Sequence, residues 1–408
     1  MKNFKTFISE EKNTHMQHIE DRVWDSGVVG VRQGIDYLRT LRDQLSGKTP
    51  NAMNISVKWD GAPAIFAGTD PSDGKFFVAK KGIFNKNPKV YKTNKDIDDD
   101  TSGELNKKMK LALKHLPELG IKGVVQGDFL YDRSDIKKVS IGGVPHITFH
   151  PNTILYAIPA ESDLAKEILS SKIGVVWHTE YRGRSFEKMS ASFGKEIASR
   201  FKKSKDSWAV DAVFKDVSGQ ATFTKAETDE MTALLSQAGK NFNKVSAKTF
   251  DLVSEGIVNA RLNVFVNSKV RQGERVKNPK AFAVDLKVAL EEYFQKEEDK
   301  RKSEKGKTAV LDKKSAAFQQ LESIPQDEFE AMVNLYNNLV DAKHMVIRKL
   351  DKASKVGTFL KTKKGLDVTA PEGYVAVDRM GKNAVKLVDR LQFSKANFSD
   401  DILKGWTK

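Results

Sequence analysis

The chain has 408 residues, a formal net charge of +15 and no cysteine. This length allows two or three domains, each large enough to bury a core, and the lack of thiols excludes disulfides and thiolate chemistry. The basic excess favours a polyanionic partner, most often nucleic acid, although it also serves solubility. No stretch of about 18 apolar residues occurs, so we expect no membrane contact. A cysteine-free chain without an apolar leader fits the cytoplasm.

The first part of the chain predicts helices followed by strands. Apolar residues recur at spacings of three and four between residues 8 and 46, so we assign residues 1–50 to a helical segment. Alternating apolar positions then predict strands from residue 51. The sequence Val-Lys-Trp-Asp-Gly-Ala-Pro at 57–63 lies between two such runs and predicts a turn. Lys58 would end a strand, where functional side chains often lie, although the pattern alone also describes an exposed lysine at a hairpin.

Three further strands carry residues of chemical interest. An apolar strand leads into Lys80-Lys81-Gly82, and residues 154–158 (Ile-Leu-Tyr-Ala-Ile) form another. Between them, the apolar run at 124–131 contains one carboxylate, Asp128. A buried carboxylate is costly unless it is paired, hydrogen-bonded or metal-bound. Asp128 is therefore either satisfied by backbone amides or functional.

The second half of the chain has a different pattern. From about residue 185 to 367 glycine is sparse and apolar residues follow helical spacing, as in 326–353. After residue 367 the alternating pattern returns. His150 and His178 have no neighbour at metal-ligand spacing, and we interpret both as structural. The expected class is α+β, with antiparallel sheets interrupted by a large all-helical insertion. The expected divisions are 1–50, 51–184, 185–367 and 368–408.

Six short motifs appear in a characteristic order. They are Lys58-Trp59-Asp60-Gly61, Lys80-Lys81-Gly82, Gly127-Asp128-Phe129, residues 154–158, Glu372-Gly373-Tyr374-Val375, and Lys386. In order and spacing they resemble the motifs of the covalent nucleotidyltransferase superfamily, which includes polynucleotide ligases and mRNA capping enzymes. The resemblance covers roughly 51–184 and 368–400 and implies the ATP-grasp-like adenylation domain of ligases, here without a C-terminal OB-fold. The chain also resembles uncharacterised tailed-phage proteins that share the sequence Glu-Lys-Asn-Thr-His-Met at 11–16.

The resemblance implies catalytic and metal-binding roles. Lys58 would attack the α-phosphate of ATP and carry AMP as a phosphoramidate, with Asp60 and Lys386 as further catalytic residues. Lys386 would neutralise phosphate charge and repel the proton of Lys58. Asp128 and Glu372 would hold Mg²⁺ or Mn²⁺, since both ions prefer oxygen ligands.

The resemblance also implies a nucleotide-binding set. Tyr156 would stack on adenine, and Lys80 or Lys81 would contact the ribose or the strand end. The full set is Lys58, Lys80, Lys81, Asp128, Tyr156, Glu372 and Lys386. Two positions depart from the usual motifs: Pro63 stands where ligases have arginine or asparagine, and Val388 stands where the last motif has a second lysine.

The function that the resemblance implies is ATP-dependent sealing of 3′-OH and 5′-phosphate ends. A basic helical insertion could hold a duplex through phosphate contacts, which favours nicks with DNA on at least one side. We expect a monomer, cytoplasmic in the host if the gene is viral. RNA ligation in repair remains an alternative, as do capping-type guanylyltransfer and a nucleic-acid-binding protein that has lost the chemistry.

Overall fold

The computed structural model describes residues 16–49, 52–213, 221–353, 356–379 and 383–405. Most of the stretch 11–16, on which the sequence resemblance to phage proteins rests, lies outside these ranges. Within them the chain has twelve α-helices and three sheets, and all strand pairings but one are antiparallel. The α+β class predicted from the sequence is therefore confirmed. No helix in the described ranges has the length and apolar character needed to cross a membrane.

The helices follow the apolar spacing of the sequence, and several begin at side-chain caps. Thr224 and Glu227 form a reciprocal capping box at one helix start, and Asn278 caps another whose first residue is Pro279. The α-helices are α1 (Arg22–Asp25), α2 (Gly27–Leu45), α3 (Asn94–Asp100), α4 (Gly103–His115), α5 (Asp163–Ser170), α6 (Lys225–Phe242), α7 (Ala247–Ser254), α8 (Gly256–Arg271), α9 (Pro279–Asp299), α10 (Glu304–Glu322), α11 (Gln326–Asp351) and α12 (Arg390–Phe398).

The strands are built from the alternating and continuous apolar runs. They are β1 (Met53–Lys58), β2 (Ala64–Thr69), β3 (Phe76–Ala79), β4 (Val124–Asp132), β5 (Lys137–Ile141), β6 (Val144–Phe149), β7 (Ile154–Pro159), β8 (Ile173–Arg182), β9 (Ser190–Phe193), β10 (Ser207–Asp211), β11 (Gly357–Thr362), β12 (Gly365–Val368), β13 (Gly373–Asp378) and β14 (Ala384–Leu387).

These strands form three sheets. A small sheet has the order β1-β13-β14, and a five-stranded sheet has the order β12-β11-β7-β6-β5. The central sheet has the order β10-β8-β4-β2-β3, with β9 also paired to β8. Strand β10 runs parallel to β8. The small sheet thus joins strands from the two ends of the chain, because β1 precedes the long helices and β13 follows them.

The long helices and the N-terminal helices share one apolar core. We call α1, α2 and α6–α11 the helical body, since their buried faces belong to a single cluster. A buried ion pair ties the N-terminal segment to it: Lys343 Nζ lies 2.6 Å from Glu20 Oε1, and each side chain is 1% exposed. The N-terminal segment is therefore a structural part of this body.

The helical region is narrower than the sequence indicated. Four strands, β9 to β12, lie within the predicted all-helical range 185–367. Strand β10 pairs with β8, and β11 pairs with β7 on the far side of the helices in sequence. Such pairing depends on partners distant in sequence, and local glycine content does not report it. The continuous helical part is 225–351.

Candidate functional site

The small sheet brings three of the predicted motifs together. In the antiparallel register Lys58 at the end of β1 lies opposite Gly373, next to Glu372. On the other side of β13, Val375 lies opposite Lys386 of β14. Three residues from separate parts of the sequence are thus held on adjacent strands. Rigid strands of this kind position side chains more accurately than loops do.

Lys58 and Glu372 form a direct ion pair between Nζ and Oε1. The side chains are 27% and 8% exposed, respectively. Burial by itself lowers the pKa of Lys58, but the carboxylates of Glu372, Asp128 and Asp60 together outweigh it and the pKa is raised. Burial raises the pKa of Glu372 to about 7, against the opposing effect of Lys58. In this state Lys58 is protonated and is not a nucleophile.

Asp128 of β4 adds a second carboxylate beside Lys58. Burial raises its pKa to about 7, and Lys58 opposes that shift. Two glycines make this proximity possible: a Cβ on Gly61 would lie 2.5 Å from the Cβ of Asp128, and a Cβ on Gly127 would lie 2.3 Å from the carbonyl oxygen of Val176. Any side chain at either position would displace the turn after Lys58 or the β4–β8 pairing.

His178 belongs to the same site, although the sequence indicated a structural role. Its Nε2 lies 3.6 Å from Asp128 Oδ2, and its Nδ1 is 2.7 Å from the hydroxyl of Thr179. Burial lowers the pKa of His178 to about 4, and Lys58 acts in the same direction. His178 is therefore neutral at pH 7. The sequence did not reveal it because its partner lies on the neighbouring strand, far away in the chain.

Lys386 completes the group as a second lysine. Burial lowers its pKa, and the charge of Lys58 lowers it further. Its backbone N–H donates to the carbonyl oxygen of Gln17 at 2.9 Å, so the N-terminal segment runs along β14. Mutual repulsion between two lysines favours loss of a proton from one of them.

A cavity of about 200 Å³ opens beside these residues. Its polar lining includes Lys58, Gln126, Asp128, His178 and Lys386, and most of the remainder is apolar, as is typical of small-ligand sites. Trp59 also lines it, and this residue was not assigned a role from the sequence. The cavity therefore places an aromatic side chain next to charged groups.

Asp60 does not line this cavity, although its charge acts on Lys58 and Glu372. It is 4% exposed. Its Oδ2 accepts the backbone N–H of Thr153 at 2.7 Å and of Ile154 at 2.8 Å, and its Oδ1 accepts from Asn152 Nδ2 at 2.8 Å. Asp60 therefore fastens the turn after Lys58 to the start of β7, and it is a positioning residue.

Tyr156 is likewise too deeply buried for the base-stacking role predicted for it. It is 3% exposed, its hydroxyl accepts the backbone N–H of Asp60 at 2.7 Å, and its ring packs against Trp59 at 4.9 Å between centroids. Of these two aromatic residues, Trp59 lines the cavity and Tyr156 does not. Tyr156 therefore holds Trp59 and the backbone of Asp60 in place from below the cavity.

Lys80 and Lys81 are not brought to the cavity. Lys80 Nζ lies 2.9 Å from Asp100 Oδ2, so it joins β3 to the end of α3. Lys81 begins the short 3-10 helix Lys81–Phe84 and is exposed. Among the described residues that line the cavity, neither appears. Their motif consists of two lysines and a glycine that follow a strand. Such a local pattern does not determine where the lysine side chains point in the folded protein.

The carboxylates at this site suit a divalent cation. Asp128 and Glu372 are both buried, both have raised pKa values, and both lie near Lys58. A buried carboxylate is costly unless it is paired, protonated or metal-bound, and carboxylate oxygens are ligands that Mg²⁺ accepts. A separate group, His115, Glu118 and Asp206, has ligand atoms within 4.8 Å of one another, but there Lys172 already pairs with Asp206 at 2.9 Å.

Comparison with known proteins identifies the family of the chain. The model of DUF6267, described as a family of unknown function, matches residues 13–401. The chain belongs to this family, and the match spans the helical body and all three sheets. No curated protein and no solved structure matches it.

Proposed function

We propose that this protein is an ATP-dependent polynucleotide ligase of the covalent nucleotidyltransferase type. One observation carries the proposal: three neighbouring strands hold Lys58, Glu372 and Lys386 together, with Asp128 adjacent, beside a cavity for a small ligand. The motifs that suggested the chemistry are spread over more than 300 residues of sequence. Three of them, those of Lys58, Glu372 and Lys386, meet at the small sheet, with Asp128 of the central sheet adjacent, and this proximity supports a common chemical task.

The first task of the site is to deprotonate Lys58. Its ion pair with Glu372 keeps it protonated, so the pair must open before attack. Bound Mg²⁺ or Mn²⁺ would supply neutralisation of phosphate charge, and the carboxylates holding it would be withdrawn from Lys58. Asp128 and Glu372 are the residues that would hold it. Once Glu372 binds the metal and no longer pairs with Lys58, burial and the charge of Lys386 both favour the neutral form of the Lys58 amine.

The first chemical step is phosphoryl transfer to nitrogen. The lone pair of Lys58 Nζ forms a bond to the α-phosphorus of ATP, and the bond to the β-phosphate oxygen breaks with its electrons on pyrophosphate. Lys386 stabilises the charge on the equatorial oxygens. The proton released by Lys58 leaves to solvent or to a carboxylate.

The later steps join the strands. A 5′-phosphate oxygen attacks the same phosphorus, the N–P bond breaks, and Lys58 regains a proton. A 3′-hydroxyl then attacks the activated 5′-phosphorus and expels AMP, with its proton leaving to solvent. The charge of +15 favours a nucleic-acid substrate. We propose a nicked duplex with DNA on at least one side, sealed by a cytoplasmic monomer, with RNA repair as the alternative substrate.

A second candidate is a nucleic-acid-binding protein that does not use Lys58 chemically. The observation in its favour is the closed Lys58–Glu372 ion pair and the raised pKa of the lysine. In that case Lys58 and Glu372 satisfy each other's charge as a structural pair. The two candidates differ in one respect that can be measured, namely covalent uptake of nucleotide.

The test is incubation with α-³²P-labelled ATP, and separately GTP, with Mg²⁺, followed by denaturing electrophoresis. We expect a labelled band from ATP that is lost in Lys58→Ala. The matched control is Lys92→Ala, since Lys92 is 24% exposed and also ion-paired, to Asp70 and Asp73. Nicked DNA, RNA and hybrid duplexes then identify the strand.

Two results would contradict the ligase proposal. A band from GTP alone indicates capping-type chemistry. No band from either nucleotide, with an intact mass that shows no bound AMP, leaves the binding protein as the supported function. Retained labelling in Lys58→Ala would assign the chemistry to another residue.

A further inference from the structure

A second cavity, of about 420 Å³, also has Lys58 and Lys386 in its lining. Its other walls come partly from outside the nucleotidyltransferase resemblance. Helix α8 of the helical body contributes Asn267, Val270 and Arg271, and the N-terminal segment contributes His18 and Asp21. Helix α12 closes it. The volume falls in the range of about 300–1,000 Å³ that is typical of ligand sites.

The cavity carries an excess of positive charge. Lys58, Arg271, Lys386 and Arg390 face the two carboxylates Asp21 and Glu372, which leaves a net charge of +2. His18 adds none at neutral pH, because burial lowers its pKa well below the usual value. The excess predicts an anionic occupant.

The ion pairs within the cavity show which cationic side chains are free to bind an anion. Arg390 Nη1 lies 2.7 Å from Asp21 Oδ1, and Lys58 pairs with Glu372. In the described parts of the chain, Lys386 and Arg271 have no carboxylate within 4.0 Å. Arg271 is exposed, with its guanidinium 5.4 Å from the centre of the Phe398 ring. This contact orients a planar donor group without neutralising it.

We propose that this cavity binds the pyrophosphate moiety of the nucleoside triphosphate, with Lys386 and Arg271 as phosphate ligands. The inference rests on the proposed function. With the base in the first cavity, the α-phosphate lies at Lys58, and in-line displacement places the leaving group away from the attacking amine. The second cavity is the positively charged space on the other side of Lys58, which lines both cavities. Arginine suits the multiply charged oxygens of pyrophosphate.

The consequence is that the helical body takes part in catalysis. Arg271 reaches the reacting phosphates from α8, while Asn267 on the same helix accepts from Arg390 Nη2 at 2.5 Å and so holds the helix to α12. Nucleotide binding then depends on the docking of the helical body against the small sheet.

The test compares Arg271→Gln with Arg261→Gln. Arg261 is on the same helix, about 15 Å earlier, and its guanidinium also lies on a ring, 4.1 Å from the centre of Tyr293, outside this cavity. The first readout is calorimetric binding of inorganic pyrophosphate with Mg²⁺ to the full chain. The second is the KM for ATP in the labelling of Lys58. The third is single-turnover sealing of a strand that is already 5′-adenylated.

We expect Arg271→Gln to weaken pyrophosphate binding and to raise the KM roughly tenfold, with sealing of the adenylated strand unchanged and Arg261→Gln like the wild type. Equal pyrophosphate binding by all three proteins overturns the inference, even where labelling occurs. A defect confined to sealing also overturns it and assigns the cavity to a strand 5′-phosphate. Arginine-dependent pyrophosphate binding without any labelling supports the anion site while rejecting the ligase proposal.

Discussion

Replacing Asp60 distinguishes a positioning residue from a catalytic one. In Asp60→Ala the backbone N–H groups of Thr153 and Ile154 lose their acceptor in a buried region. The side-chain amide of Asn152 loses its partner as well. We expect the turn that follows Lys58 to separate from the start of β7, so that stability and labelling of Lys58 fall together.

The magnitude follows from the hydrogen bonds that are lost. Leaving a buried donor unsatisfied costs about 1–3 kcal/mol, and two backbone donors are affected. Removing a buried carboxylate recovers part of this. We therefore expect Asp60→Ala to lower the free energy of unfolding by roughly 3–5 kcal/mol. Asp60→Asn should lose only about 1–2 kcal/mol, because Asn152 can rotate its amide to present oxygen in place of nitrogen.

The assay is urea unfolding followed by tryptophan fluorescence, with the free energy taken from the midpoint and slope. The matched control is Asp36→Ala, whose carboxylate is 57% exposed and pairs with Arg39 on the helix surface. It should change stability by less than about 0.5 kcal/mol. Labelling with α-³²P ATP is measured on the same preparations at low urea.

One result would refute the reasoning about Asp60. If Asp60→Asn and Asp60→Ala both unfold like the wild type while labelling disappears, Asp60 acts directly on the reacting groups. The catalytic role that the sequence suggested would then be correct. Partial rescue of both stability and labelling by asparagine supports the positioning role.

Three further predictions concern the site itself. Glu372→Gln removes the partner of Lys58, so burial should lower the pKa of the lysine. The lysine should then be acylated faster by an amine-selective reagent, as measured by peptide mass mapping. Unchanged reactivity would contradict the ion pair. Because burial raises the pKa values of Asp128 and Glu372 to about 7, protons compete with metal below that pH. Calorimetric Mn²⁺ affinity should therefore fall roughly thirtyfold from pH 7 to 6, about fivefold for each carboxylate, and change little from 7.5 to 8.5; a constant affinity would exclude these ligands. Trp59→Ala should raise the KM for ATP roughly tenfold because stacking on the base is lost. Tyr156→Phe should leave the KM unchanged and lower the free energy of unfolding by about 1 kcal/mol. The reverse pattern would support the stacking role that the sequence suggested for Tyr156.

The sequence by itself determined the α+β class, and its motifs pointed to four charged residues that the structure brings close together. Apolar spacing near 3.6 and near 2 is a local property, and it identified α2, α4, α11 and the strands around Lys58. Short motifs located Lys58, Asp128, Glu372 and Lys386, since each combines a charged residue with a glycine or a strand. Apolar spacing and short motifs depend only on residues that are close in sequence, so both can be recognised without the structure.

Tertiary structure decided which of these residues meet and what each one does. Antiparallel pairing of β1 with β13 joined Lys58 to Glu372 across most of the chain length, and β4–β8 pairing brought His178 to Asp128. The same three-dimensional packing turned Asp60 inward to backbone amides and placed Trp59 above Tyr156. Arg271 had no sequence motif, because its position depends on docking of the helical body. Pairing and burial arise from contacts between distant segments, and they set both the pKa values and the walls of the cavities.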